Sequence, residues 1–299
     1  MAFGRDAPMQ VLLIAAALLL ASTRASSAPR QAEPVAPVLV GAGDIARCGR
    51  DAAEATAKLL DGISGTVFTA GDNAYPRGAS DDYSRCYALT WGRHKARTRP
   101  APGNHEYWTG AAKGYFDYFG AAAGKRGEGW YSYGIGAWHV VVLNSNCPVV
   151  GCGTDSAQLK WLAADLAASS AKCTLAYWHH PRWGSGSRRP EPGVQAFWDV
   201  LYEKRADLVI NGHDHFYERI LPVDPNGMPD LARGIRQITV GTGGASLYEF
   251  ETEPLPITEV RDDQTFGVLK LSLKADGYDW HFIGIPGSLF TDSGSAACH

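Results

Sequence analysis

The stretch ADLVINGHDH, Ala206–His215, sets the pattern for the chain. An apolar, largely β-branched run, Leu208, Val209 and Ile210, leads into Gly212, and two histidines one residue apart follow. Such a run suits a strand covered on both faces, and glycine permits the turn after it. The same shape recurs in VAPVLVGAGD (Val35–Asp44), GTVFTAGDNAY (Gly65–Tyr75), RPAPGNHE (Arg99–Glu106) and CTLAYWHHP (Cys173–Pro181). Helical stretches fall between. DAAEATAKLLDG (Asp51–Gly62) is rich in Ala and Leu and stops at Gly62, and TDSAQLKWLAADLAAS (Thr154–Ser169) has Thr154 or Ser156 as N-cap with Leu159, Leu162 and Leu166 on one face. Two segments read as hairpins: Gly129–Ser145, and Phe266–Gly284 turning at Asp276-Gly277. The expected fold is mixed α/β with parallel and antiparallel pairing. One domain is expected over residues 36–287, with 288–299 as a C-terminal tail.

Composition sets the bounds. In 299 residues, 45% are apolar and 20% charged, which fits a globular protein with a sizeable core. A formal charge of -3 and a pI near 6.3 give no global signal for nucleic-acid or anionic-membrane binding. Arg5, the apolar run Val11–Ala21 and the small residues after it read as a secretory signal over residues 1–27, cut near Ala25 or Ser27. That run is too short for a comfortable span, so no membrane span is expected in the mature chain, and the protein is expected to be secreted or periplasmic. All six cysteines lie beyond the leader, and an even number in an exported chain favours disulfides. Cys147 and Cys152 are close enough to close a small loop. For the rest the expectation is Cys48 with Cys86 and Cys173 with Cys298, the last tying down the tail, although spacing does not fix connectivity.

The strand ends present Asp44, Asp72, Tyr75, Asn104, His105, His179, His180, His213, Asp214 and His215. In open α/β sheets, ligands gather at the carboxyl ends of strands, so these groups can converge on one crevice. Carboxylate, phenolate, amide and imidazole are ligands for hard or borderline cations, and an aspartate has two oxygens with which to bridge a pair. Two-metal sites suit in-line attack on phosphorus, and His213 and His215 can each face a different ion.

The series GDIA, GDNAY, GNHE, WHHP and GHDHFYER resembles the calcineurin-like metallophosphoesterases. The tyrosine three residues after Asp72 makes it similar, more closely, to the purple acid phosphatases. The resemblance covers about Val38 to Arg219 in the family's order. It implies two central β-sheets in a sandwich flanked by helices, as in the small single-domain members. It also implies that Asp44, Asp72, Tyr75 and His215 hold ferric iron, with Asp72 bridging to a second ion on Asn104, His179 and His213. That ion is zinc, iron or manganese in the family. His105 would face the leaving group as general acid, and the substrate would be a small phosphorylated molecule. Of the pair His179–His180, the motif matches His179, and only one neighbour on an extended strand is expected to reach the crevice.

Each motif has a plainer reading. GD alone is a turn, and an aromatic near a strand end is usually packing. Arg182, Arg188 and Arg189 in the loop Pro181–Gly193 can meet phosphate oxygens and Trp183 can stack on a substrate ring, or the loop is simply solvated. Glu218 and Arg219 are expected in a structural ion pair or behind the ligands. VLVGAGDIA also fits a dinucleotide-binding fingerprint through Gly41, Gly43 and Ala46, which would make an oxidoreductase but leaves the later motifs unexplained. A metal-binding, non-catalytic family member is another alternative, and the expected phosphomonoester hydrolysis has a phosphodiesterase or nucleotidase with the same metal site as its nearer one, since the ligand set serves both.

Overall fold

The apolar runs that end in glycine-bearing polar clusters all form strands, and the buried residues alternate between two cores. The computed structural model describes residues 1, 3–4, 35–186 and 191–299; the apolar run of the expected leader, Arg188 and Arg189 lie outside the described residues. Among the described residues the first strands are β1 (Val38–Ala42), β2 (Ala46–Arg47), β3 (Thr66–Ala70), β4 (Ala74–Tyr75), β5 (Thr98–Ala101), β6 (Tyr131–Ile135), β7 (Trp138–Val142) and β8 (Cys173–Tyr177). Then come β9 (Leu208–Asn211), β10 (Tyr217–Ile220), β11 (Arg236–Val240), β12 (Thr258–Asp262), β13 (Gly267–Leu273), β14 (Gly277–Gly284) and β15 (Thr291–Ala297).

Two large mixed sheets result. One has the order β15-β14-β13-β1-β3-β5, with β1, β3 and β5 parallel and the rest antiparallel. The other has the order β12-β10-β11-β9-β8-β7-β6, with β7, β8, β9 and β11 parallel. The sheets face each other: Phe68 on β3 meets Tyr177 on β8 with ring centroids 5.7 Å apart, and Tyr177 Oη donates to Arg99 O at 2.8 Å. Strand periodicity then does the sorting. Val140, Leu175 and Ile210 point into the core between the sheets, whereas Val141, Ala176 and Val209 point outward. That outer face is covered by Leu159, Leu162 and Leu166 of the helix Ala157–Ala168 and by Phe197, Trp198 and Leu201 of Gln195–Glu203. Ser156 caps the first of these helices by accepting from Leu159 N. The helix Ala52–Asp61 packs on β13 of the other sheet and ends at Gly62. This is the expected α/β sandwich flanked by helices.

The three disulfides pair Cys48 with Cys86, Cys147 with Cys152, and Cys173 with Cys298. Three details differ from the sequence expectations. Residues 288–299, read as a tail, contribute β15, which pairs with β14 along its whole length. The hairpin tip lies at Ala275–Asp276, one residue early, because Gly277 already belongs to β14; a Cβ there would sit 2.5 Å from Ala296 O. Glu218 and Arg219 do not pair with each other, since neighbours on a strand point to opposite faces. Arg219 instead reaches Asp292 and Glu259, while Glu218 holds Ser185 and Thr258.

Asp292, on β15, ties that edge strand to the other sheet. Its carboxylate accepts from Arg219 Nε at 2.7 Å, Arg219 Nη2 at 3.0 Å, Tyr217 Oη at 2.7 Å and Trp280 Nε1 at 3.0 Å. Burial alone would raise its pKa, but these donors, Arg219 foremost, hold it below the usual carboxylate range. A depressed folded pKa contributes stability that is present above the unfolded value of about 3.9 and is lost as pH falls through the folded one. Asp292→Asn should therefore cost about 2–4 kcal/mol at pH 6 and flatten the acid limb of the stability curve below pH 4. Urea unfolding from pH 6 to pH 3 measures both, and an unchanged acid limb would contradict the assignment.

Candidate metal centre

Asp44, Asp72, Asn104, His179, His213 and His215 all follow the carboxyl ends of parallel strands: β1, β3, β5, β8 and β9. Three of them, Asp44 (φ 60°), Asp72 (φ 49°) and His213 (φ 69°), lie in the left-handed region. That backbone costs a side-chain-bearing residue about 1–3 kcal/mol, and Asp and His tolerate it better than branched residues do. Tyr75 comes from β4, which pairs with β2 just beyond these ends.

Seven side chains converge in two sets that share one oxygen. Tyr75 Oη lies 2.8 Å from Asp44 Oδ1, 2.9 Å from Asp72 Oδ2 and 3.0 Å from His215 Nε2, and His215 Nε2 is 3.1 Å from Asp44 Oδ1. In the second set, Asn104 Oδ1 lies 3.1 Å from both His179 Nε2 and His213 Nδ1, which are 3.2 Å apart. His179 Nε2 is 3.4 Å from the same Asp72 Oδ2. Atoms about 2.1 Å from one octahedral cation sit about 3.0 Å from each other, so both sets have the spacing of ligands around an ion.

The donor chemistry fits too. His179 Nδ1 faces Ala70 O at 2.8 Å and His215 Nδ1 faces Ser246 O at 3.1 Å, so both nitrogens donate and leave lone pairs on Nε2. Those lone pairs meet carboxylate and amide oxygens and a phenol with a single proton. Acceptors outnumber protons, an arrangement that cations satisfy. Burial opposes ionisation of Asp72, but the charge and hydrogen bond of His179 and the proximity of His105 hold its carboxyl well below the usual range. Burial also works against a charged His179, yet Asp72 raises it to about 9, so a cation binding at Nε2 would take the place of a proton held there toward Asp72. Burial and the charges of Asp44 and Asp72 push the Tyr75 phenol well above its ordinary value, and a multiply charged ion at that oxygen acts in the opposite sense.

Two glycines make room. A Cβ on Gly103 would lie 2.1 Å from Asp72 Oδ1, and one on Gly71 (φ +84°) would lie 2.6 Å from His179 Nδ1. The two loops they belong to are held together by Glu106, a residue whose role the motif GNHE did not reveal. Its fully buried carboxylate accepts from Asp72 N at 3.0 Å, Asn73 N at 2.9 Å, Gly103 N at 2.6 Å and Tyr83 Oη at 3.1 Å. Burial and the Asp72 charge push Glu106 up to about 7, while these backbone donors pull it down.

His105 borders the first set. Its backbone N–H donates to Asp72 Oδ1 at 2.9 Å, its Nδ1 meets Pro76 O at 2.5 Å, and its Nε2 is 3.7 Å from Asp72 Oδ2. The expectation that only one of His179 and His180 reaches the crevice is corrected. Both lie past the end of β8, free of strand alternation, and the His180 ring sits 4.5 Å from that of His213. Burial and the neighbouring His179 push His180 down to about 3, and its Nδ1 meets Ser145 Oγ at 2.8 Å. Arg182 is not brought to the cluster. Its Nε donates to Gln195 Oε1 at 2.8 Å and its guanidinium stacks on Trp183, which packs against Trp198 and so is engaged within the protein. The dinucleotide reading also fails on geometry. After Gly43 the chain enters β2 and a disulfide loop, and the next helix starts only at Ala52, so no helix N-terminus faces Gly43.

The calcineurin-like phosphoesterase family model matches residues 38–217, which hold every one of these groups. The chain belongs to that family. Among curated proteins it is similar to purple acid phosphatase 22 of Arabidopsis thaliana, 30% identical over 54% of this chain and 39% of that one. It is also similar to the uncharacterized protein Rv2577 of Mycobacterium tuberculosis, 27% identical over 49% of this chain and 35% of the other. The chain thus spans about two fifths of the length of the curated relatives it matches. A purple acid phosphatase from yellow lupin seeds shares the fold with a TM-score of 0.72 at 19% identity, covering 87% of this chain and 53% of that one. GAP50, titled as the anchor in the inner membrane complex of Plasmodium, does so at 0.67 and 14% identity, covering 89% and 90%. A family of dinuclear metal centres agrees with the two ligand sets. If Glu106 organises this phosphoesterase loop as an ionised acceptor, Glu106→Gln, which turns a donor toward backbone N–H groups, should lower unfolding stability by about 2–4 kcal/mol. Urea titration of the purified variant checks this, and wild-type stability would contradict it.

Proposed function

We propose that the chain is an exported dinuclear-metal phosphatase that hydrolyses phosphate monoesters. The observation that carries the reading is the pair of ligand sets meeting at Asp72 Oδ2. Asp44, Tyr75 and His215 would hold ferric iron with Asp72, and Asn104, His179 and His213 would hold zinc, iron or manganese with the same aspartate. Such a pair of ions supplies positive charge to a phosphate and acidifies water. The chain's own part is positional. His105 is kept at the edge of the cluster by its backbone bond to Asp72, and the bond of Nδ1 to Pro76 O leaves Nε2 to protonate the departing alkoxide. Three disulfides support an oxidising compartment, and no helix among the described residues is long and apolar enough to cross a membrane.

Two outcomes test the roles. His105→Ala should lower kcat/KM by about 10²–10⁴ for alkyl phosphates with poor leaving groups and far less for p-nitrophenyl phosphate. Equal losses on both, measured side by side, would remove His105 as the acid. If Tyr75 binds ferric iron, aerobically purified protein should be coloured and Tyr75→Phe should bleach it. A colourless wild-type protein with full metal content, or a variant with an unchanged visible spectrum, would contradict that role. Faster turnover of a matched diester than of the monoester would make the chain a phosphodiesterase with the same centre.

A further inference from the structure

Among the described residues of 36–299, Trp108 is the one aromatic among the exposed large hydrophobic side chains, at 59% of its surface. It is not on a loose loop. It sits in the five-residue 3-10 helix His105–Thr109, and its neighbours are all held. Glu106 is the buried acceptor described above, Tyr107 Oη accepts from Asn144 Nδ2 at 2.7 Å, and Thr109 Oγ1 donates to Arg77 O at 3.1 Å. The backbone therefore presents the indole outward from a fixed base. A single exposed apolar side chain is ordinary; what sets Trp108 apart is its fixed base and its place beside His105.

Its one ring contact among the described residues shows where it points. The Trp108 ring lies 4.0 Å from the His105 ring, His105 lies 4.3 Å from Tyr75, and on the far side of Tyr75 the His215 ring stacks on Tyr248 at 4.1 Å. The rings run as a continuous series, with Trp108 at the end beyond His105. A leaving group protonated by His105 emerges next to that indole.

We infer that Trp108 is a specificity-determining residue that forms an aromatic wall for the leaving group and selects phosphate esters of planar aromatic alcohols over those of small aliphatic ones. This rests on the phosphatase reading and adds the substrate class. A planar ring set against an indole gains stacking and apolar burial that an alkyl group of a few atoms does not. The indole meets the organic part of the ester and leaves the phosphate to the ions, so the preference resides in binding and is separable from the chemistry.

Calorimetric titration of metal-loaded protein with phenylphosphonate, methylphosphonate and inorganic phosphate tests this without turnover. Wild type should bind phenylphosphonate about fivefold to tenfold more tightly than methylphosphonate. Trp108→Ala should reduce that ratio to below twofold with the methylphosphonate Kd unchanged, and Trp108→Phe should keep most of it. A ratio that survives in Trp108→Ala, or equal weakening of both phosphonates, would overturn the inference while phosphate binding leaves the phosphatase reading standing. Failure of all three anions to bind wild type would overturn both.

Discussion

The buried carboxylate of Glu106 is the contact on which the centre depends. It gathers backbone N–H groups from two strand ends, Asp72 and Asn73 after β3 and Gly103 after β5, and it does so in a fully buried position. Without that acceptor these donors would be buried and unpaired, and the two loops would be joined chiefly by the His105 N–H bond to Asp72 Oδ1 and the Asn73 Nδ2 bond to Ala101 O. With it, Asp72 is set where one of its oxygens belongs to both ligand sets, and Asn104 and His105 follow from the same turn. A buried acceptor placed behind the candidate ligands thus fixes the geometry in front of them.

The rest of the fold presents the candidate ligands to that point. Parallel strands of both sheets end at the same rim, so five loops deliver seven side chains into one small volume. The delivery is strained: Asp44, Asp72 and His213 occupy left-handed backbone, and Gly71 and Gly103 must lack side chains. Strain of this kind persists only where the surroundings over-determine it, and here two packed sheets, an inter-sheet carboxylate at Asp292 and three disulfides do so. The same rim carries His105 and, beyond it, Trp108, so the proposed acid and the proposed wall for the organic group lie on one short 3-10 helix.

Much of this is legible in the sequence because the strands announce themselves by composition and their ends by glycine. The seven ligand candidates fall at those ends, and the resemblance orders them. What is not legible is what depends on pairing across the chain. Glu106 looks like an ordinary acid beside a histidine, since its partners lie more than twenty residues upstream or in the turn just before it. His180 was expected to turn away, an inference that holds only on a strand, whereas β8 stops at Tyr177. The segment 288–299 has the Gly and Ser content of a tail, yet pairs as β15 because the long β14 offers it a free edge. Arg182 has the right charge for phosphate but is held by Gln195, a contact that no local pattern encodes.

The central claim is that Asp72 joins two ions. Anomalous diffraction from crystals of the metal-loaded protein, collected at the iron and zinc edges, tests it directly. The account predicts two peaks about 3.5–4 Å apart, one among Asp44, Tyr75 and His215 and the other among Asn104, His179 and His213, with Asp72 touching both. A single peak, or two peaks that Asp72 does not bridge, would contradict it.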